Sequence, residues 1–256
     1  MTRAAVVANA FYAGDRQSLI KDLEGCFRGR LGPGKLPEPR KERAGKVVGL
    51  VCPHAGYVYS GAAAAHSYAA LAEDGIPEVA VILGPNHSGI GEPVAVAAED
   101  EWMTPLGAVR VDLAIANTIL RSSSTARSDN RAHSREHSLE VQLPFLKHIG
   151  GDSISIVPIT VALLSQEDSR AVAEDLGAAI ASALEGIANL DPEGLLDVVH
   201  SHSITMCGAV GAAAMLHACL RLGATSARQL TYYTSGDVTG DRREVVGYGS
   251  VVIERA

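Results

Sequence analysis

The stretch Val47-Val48-Gly49-Leu50-Val51-Cys52-Pro53-His54-Ala55-Gly56-Tyr57 decides how this chain folds. Six apolar or small residues run without a charge, stop at a proline and present a histidine in the loop that follows. The pattern repeats: Val79 to Leu83 is a second apolar run, and it ends in Gly84-Pro85-Asn86-His87-Ser88-Gly89. Each run reads as a buried strand, because short continuous apolar segments bounded by turn residues fit strands covered on both faces. In parallel α/β sheets, ligands gather outside the carboxyl ends of the strands. Two histidines at two such ends are placed to share one metal ion, and neutral imidazole suits Fe, Cu or Zn. The competing reading is a pair of loop histidines bonded to backbone. The glycines around them permit tight turns.

Outward from these strands the chain reads as one α/β domain over residues 1–256, with a mixed, mostly parallel central sheet flanked by helices. Residues 15–28 are helical by the fourfold spacing of Leu19, Leu23 and Phe27. Residues 31–45, rich in Pro, Gly and charge, form an exposed connection. Strands are expected at 46–52, 78–83, 93–97, 108–111, 154–161, 228–234 and 245–254. Helices are expected at 61–74, 112–121 with Asp112 as N-cap, 136–148 with Pro144 as a kink or early end, and 165–188. Asp191-Pro192-Glu193 opens another helix, and 208–222 is a further one. Three helices in succession are anomalous where one normally links parallel strands. Thr234 to Asp241 reads as a turn-rich loop without the ending of a phosphate-binding loop.

Hydrophobic residues make up 47% and charged residues 20% of the 256, which excludes a disordered chain. A net charge of −7 argues against nucleic-acid binding, which needs clustered Lys and Arg. The longest uncharged apolar stretch, near Ala209 to Leu220, is too short for a bilayer span, and the expectation is a cytoplasmic protein with no membrane partner. Cys26, Cys52, Cys207 and Cys219 show no CxxC pairing.

Three further groups carry chemistry. Cys207, in Ile204-Thr205-Met206-Cys207-Gly208, precedes a helix, where a thiolate is favoured; it is either a ligand or nucleophile, or a packed cysteine. His202 lies five residues upstream, and neighbouring His200 reads as surface. In Glu136-His137-Ser138-Leu139-Glu140, His137 and Glu140 are spaced one helical turn apart, so they pair on a surface or project together into a cleft. His66, His133, His148 and His217 have no second feature beside them.

These segments together resemble the Memo family, also called AmmeMemoRadiSam system protein B. The resemblance is carried by Pro53-His54-Ala55-Gly56-Tyr57, Gly84-Pro85-Asn86-His87, Glu136-His137-Ser138-Leu139-Glu140 and Thr205-Met206-Cys207-Gly208, with weaker matches from Ala10 to Tyr248. It implies a fold like that of class III (LigB-like) extradiol dioxygenases and a metal site of His54, His87 and Cys207. The metal implied is Fe(II) or Cu, the thiolate standing where the dioxygenases have a carboxylate. It also implies partner proteins of the AmmeMemoRadiSam system, a small-molecule substrate of unspecified kind, and compatibility with a homo-oligomer. The family's Ser-Ser-Asp-x-x-His strand is missing: Ala181 to Leu190 runs straight on where it belongs. With that histidine gone, the resemblance leaves His137 or His202 to move protons. The expected function is a non-haem, dioxygenase-like oxidoreductase site. The alternative is a non-catalytic binding module, or a decayed homologue, that holds a peptide or small acid in the same cleft.

Overall fold

The computed structural model describes residues 1–184, 192–201 and 206–256. A two-residue strand β1 (Thr2–Arg3) is followed by α1 (Arg16–Arg28), β2 (Val47–Val51), α2 (Tyr57–Asp74) and β3 (Val79–Pro85). Next come β4 (Val94–Val96), β5 (Glu101–Thr104), β6 (Gly107–Val111), α3 (Leu113–Ser122) and β7 (Arg127–Ser128). After 3-10 turns at Asn130–His133 and Glu140–Gln142, the chain forms α4 (Leu143–Gly150) and β8 (Ser155–Val161). Three helices then follow in a row, α5 (Gln166–Leu184), α6 (Pro192–Ser201) and α7 (Ala209–Arg221), before β9 (Ala224–Thr234), α8 (Ser235–Thr239) and β10 (Gly247–Arg255).

Local chemistry explains most of these boundaries. The Asp15 carboxylate accepts from Ser18 N and that of Asp112 from Ile115 N, so each satisfies an otherwise orphaned donor at the start of α1 or α3. Thr234 and Asp237 form a reciprocal capping box, which turns the expected loop at 234–241 into the short helix α8. The expected helix 136–148 is corrected. Pro144 sits in the first turn of α4, where a missing N–H costs nothing, so it starts the helix rather than kinking it. Residues 136–139 precede it as irregular backbone. The strand β5 was not anticipated, although its alternation is legible: Trp102 and Thr104 are buried and Met103 is exposed.

The central sheet has seven strands and is mostly parallel. β8 lies at its middle, paired in parallel with β3 along one edge, and with β6 in parallel and β4 antiparallel along the other. β5 joins β6 antiparallel, while β1–β5 and β4–β7 are parallel. A second, antiparallel sheet runs β2–β10–β9. Helices cover the sheets. One apolar core gathers α1, α2 and α4 around Phe27, Trp102 and Phe145, and another packs α3, α5 and α7 against β4 and β8. The expected Asp/His strand position near 185–190, and the end of the expected helix at 185–188, lie outside the described residues.

One core residue predicts pH-dependent stability. His133 is fully buried, edge-on to Trp102. Burial first, and the nearby Arg3 charge second, pull its pKa down to about 4. Between that value and the roughly 6.5 of an unfolded histidine, the unfolded chain takes up a proton that the folded chain refuses. Stability therefore falls as pH drops through this window, by about 3 kcal/mol for a fully developed shift. Urea unfolding at pH 7.5, 5.5 and 4.0 should show that loss, with a shallower slope in His133→Phe. Equal slopes would contradict the assignment.

Candidate metal centre

The carboxyl ends of β2 and β3 deliver His54 and His87 to one place. Their ring centroids are 5.3 Å apart. A third ring joins them from the segment before α4: His137 stacks on His87 at 4.5 Å and lies 5.9 Å from His54. One ligand nitrogen from each of the three residues lies within 4.8 Å of the other two. Metal–nitrogen bonds of roughly 2.1 Å limit donors to separations of about 4.2 Å, so small side-chain adjustments suffice for the three to share an ion.

The segment Glu136–Gln142 holds both histidine loops. Glu136 is buried, and its carboxylate accepts from His87 N at 2.6 Å, His137 N at 2.9 Å and Ser138 N at 2.8 Å. It also meets His87 Nδ1 at 2.9 Å and His137 Nδ1 at 3.4 Å. Ser138 Oγ donates to Pro85 O and Gln142 Nε2 to Pro53 O, which ties the segment to each strand end. Gly84 makes this approach possible: a Cβ there would stand 2.7 Å from Leu139 Cδ2 and Ser138 Oγ. Phe11 closes the side, its ring 4.6 Å from that of His137, while its carbonyl accepts from Tyr57 N.

The electrostatics favour ligation. Burial, then the neighbouring rings of His87 and His137, push the His54 pKa down to about 4, so its imidazole is neutral at pH 7 and a metal displaces no proton there. Burial also lowers His137. For Glu136, burial acts to raise the pKa, but the hydrogen bonds from His87 and Ser138 together outweigh it and keep the carboxyl below its ordinary value. A carboxylate on His87 Nδ1 fixes that nitrogen as the donor and leaves Nε2 with a lone pair, the usual arrangement behind a metal-bound histidine. The donor set therefore fits a transition metal.

His54 and His87 converge as expected. His137, expected to pair with Glu140 on a surface or project with it into a cleft and assigned to proton transfer, places a third ring nitrogen within 4.8 Å of theirs. Glu140 accepts from Arg3 Nη1 at 2.7 Å, and its charge still acts on His137. Cys207 is exposed and lines the same cavity as His54, but it is not among the converging ligand atoms. The next residue, Gly208, is at φ 81°, and a Cβ there would stand 3.2 Å from Pro85 Cδ. His202 lies outside the described residues. His200 is half-buried, its Nδ1 2.7 Å from Leu196 O. Sequence reasoning missed Glu136, whose only signal was an acid adjacent to the histidine.

An α/β protein with imidazoles clustered at its strand ends is the class defined so far, and the comparisons narrow it. The family described as Memo-like protein matches residues 3–185 and 181–252. A MEMO1 family protein of Methanopyrus kandleri is 40% identical over 283 residues, covering 100% of both chains. Relatives from Ignicoccus hospitalis and Thermotoga petrophila are each 41% identical, over 279 and 285 residues, and cover 98% or more of each chain. The chain belongs to the Memo family. Those alignments are longer than the 256 residues present here, and the family match divides at 181–185. The relatives thus carry residues for which this chain has no counterpart. Among the described residues no helix is long and apolar enough to cross a membrane.

Proposed function

We propose that this protein is a mononuclear metal protein of the dioxygenase-like type, holding Fe(II) or Cu on His54, His87 and His137. The convergence of three imidazoles carries the reading. Three imidazole donors would leave coordination positions open for substrate and oxygen, and either metal accepts imidazole. Glu136 is a positioning residue that orients His87 and offsets the ion's charge from behind. Cys207, which lines the same cavity as His54, is proposed as an additional soft donor beside the three imidazoles. His202 remains the proposed proton-transfer residue. Its partners are proposed to be the proteins of the AmmeMemoRadiSam system, its setting the cytoplasm.

Loading chelator-stripped protein with Fe(II) under anaerobic conditions, and separately with Cu, tests this reading. One ion per chain is expected. Glu136→Gln keeps the shape but loses the charge, and should weaken binding about 10–100-fold, the usual cost of removing such a support. Unchanged affinity in that variant would detach Glu136 from the centre. Oxygen uptake that depends on the bound metal supports the redox assignment, and a loaded protein inert to oxygen and reductant contradicts it.

A further inference from the structure

Two of the three imidazoles are held at the ring, and one is not. Glu136 meets His87 Nδ1 at 2.9 Å and His137 Nδ1 at 3.4 Å. Among the described residues, no hydrogen bond reaches the His54 ring. Its place in the cluster is therefore set by the backbone that carries it. That backbone is pinned on both sides by buried side chains. Pro53 O, just before His54, accepts from Gln142 Nε2 at 3.1 Å, and Ala55 O, just after it, accepts from Ser60 Oγ at 2.9 Å. Gln142 and Ser60 are only 5% and 1% exposed, so water does not compete for these bonds. The Ser60 bond spans five residues and comes with the first turn of α2. The Gln142 bond spans 89 and depends on the tertiary fold.

The Gln142 amide works only one way round. Its Nε2 lies 3.1 Å from Pro53 O and 3.4 Å from Ser138 O, and an amide nitrogen has a hydrogen for each. Its Oε1 accepts from Tyr68 Oη at 2.9 Å. Turned over, the amide would set an oxygen against two carbonyl oxygens. Tyr68 is itself fixed, because its ring stacks on Phe145 with centroids 4.9 Å apart and planes 5° from parallel. Gln142 also lies six residues beyond Glu136, so one short segment reaches all three histidines. Its first residue acts on two rings, and its last acts on the strand end that bears the third.

We propose that Gln142, oriented by Tyr68, is the positioning residue for His54, as Glu136 is for the other two imidazoles. Acting on Pro53 O rather than on the ring, it fixes where His54 stands and leaves both ring nitrogens without a competing partner. The role rests on the metal reading of the three histidines, but the placement it describes exists without the ion.

Two readouts, one without metal and one with it, test the assignment. In metal-free protein, carbon-edited NMR should show a cross-peak between the His54 and His87 rings, whose centroids are 5.3 Å apart. Gln142→Met, similar in size but without the amide, should abolish it. Tyr68→Phe, which keeps the stack on Phe145, should weaken it. Calorimetric titration with Fe(II) or Cu should show affinity reduced about 10–100-fold in Gln142→Met and up to about tenfold in Tyr68→Phe. A residue that merely stabilised the fold would weaken binding whichever ligands remained. Positioning instead predicts that Gln142→Met has no further effect in His54→Ala and its full effect in His137→Ala. Where Gln142→Met unfolds early in urea, Tyr68→Phe carries both comparisons with the same outcomes. An unchanged cross-peak, or an equal loss of affinity in the two backgrounds, overturns the proposal. A parent protein that takes up neither ion sinks the metal reading, and the cross-peak still decides whether Gln142 places His54.

Discussion

Glu140→Ala should destabilise the folded chain by about 3–5 kcal/mol, the range for stripping one partner from a buried ion pair. The carboxylate is fully buried and accepts from Arg3 Nη1, Val6 N, Val7 N and Tyr12 Oη. Arg3 is itself buried, with its guanidinium 4.1 Å above the Trp102 ring and further bonds to the carbonyls of His133 and Glu136. Removing Glu140 leaves that cation and two backbone donors without their carboxylate. The loss corresponds to a fall in Tm of about 10 °C for a domain of this size. Urea unfolding measures it. Arg3→Met with Glu140→Leu should recover part of the loss, because an apolar pair carries no uncompensated charge. A change below about 1 kcal/mol in Glu140→Ala would mean that this network does not anchor the segment carrying Glu136 and His137.

The largest functional effect is expected from the histidines themselves. His54→Ala with His87→Ala removes both strand-end donors and leaves His137 alone, since Cys207 is not among the converging atoms. Affinity for Fe(II) or Cu should fall at least about a thousandfold, beyond the 10–100-fold expected for a supporting residue. Calorimetric titration of stripped protein gives the comparison. His54 is half-buried and His87 exposed, so the double variant should unfold near the parent's urea midpoint, which separates loss of ligands from loss of fold. Metal uptake equal to the parent's would place the ion elsewhere.

What the sequence revealed was what local chemistry determines. The two apolar runs ending in Pro53-His54 and Pro85-Asn86-His87 put strands and histidines where the structure has them, because uncharged runs and prolines act within a few residues. The cap at Asp112 was legible for the same reason. Leu139, Leu143 and Leu146 are buried at helical spacing, but that spacing does not distinguish a helix from a 3-10 turn leading into one. Glu136 explains why the helix does not begin earlier. Its carboxylate takes the backbone N–H groups of His87, His137 and Ser138, and such bonds compete with helical ones. That preference appears only once β3 is alongside. The division between β2 and β3 was also hidden, since pairing across it involves residues far apart in the chain. The sequence offered one sign of it, the run of three helices without an intervening strand.

The central claim is that three imidazoles hold one ion, and X-ray absorption of the Fe(II)- or Cu-loaded protein tests it most directly. The account predicts three imidazole nitrogens at roughly 2.0–2.1 Å and no sulfur near 2.3 Å, with one imidazole fewer in His137→Ala and no change in Cys207→Ser. Two imidazoles and one sulfur, unaltered by His137→Ala and lost in Cys207→Ser, would contradict it.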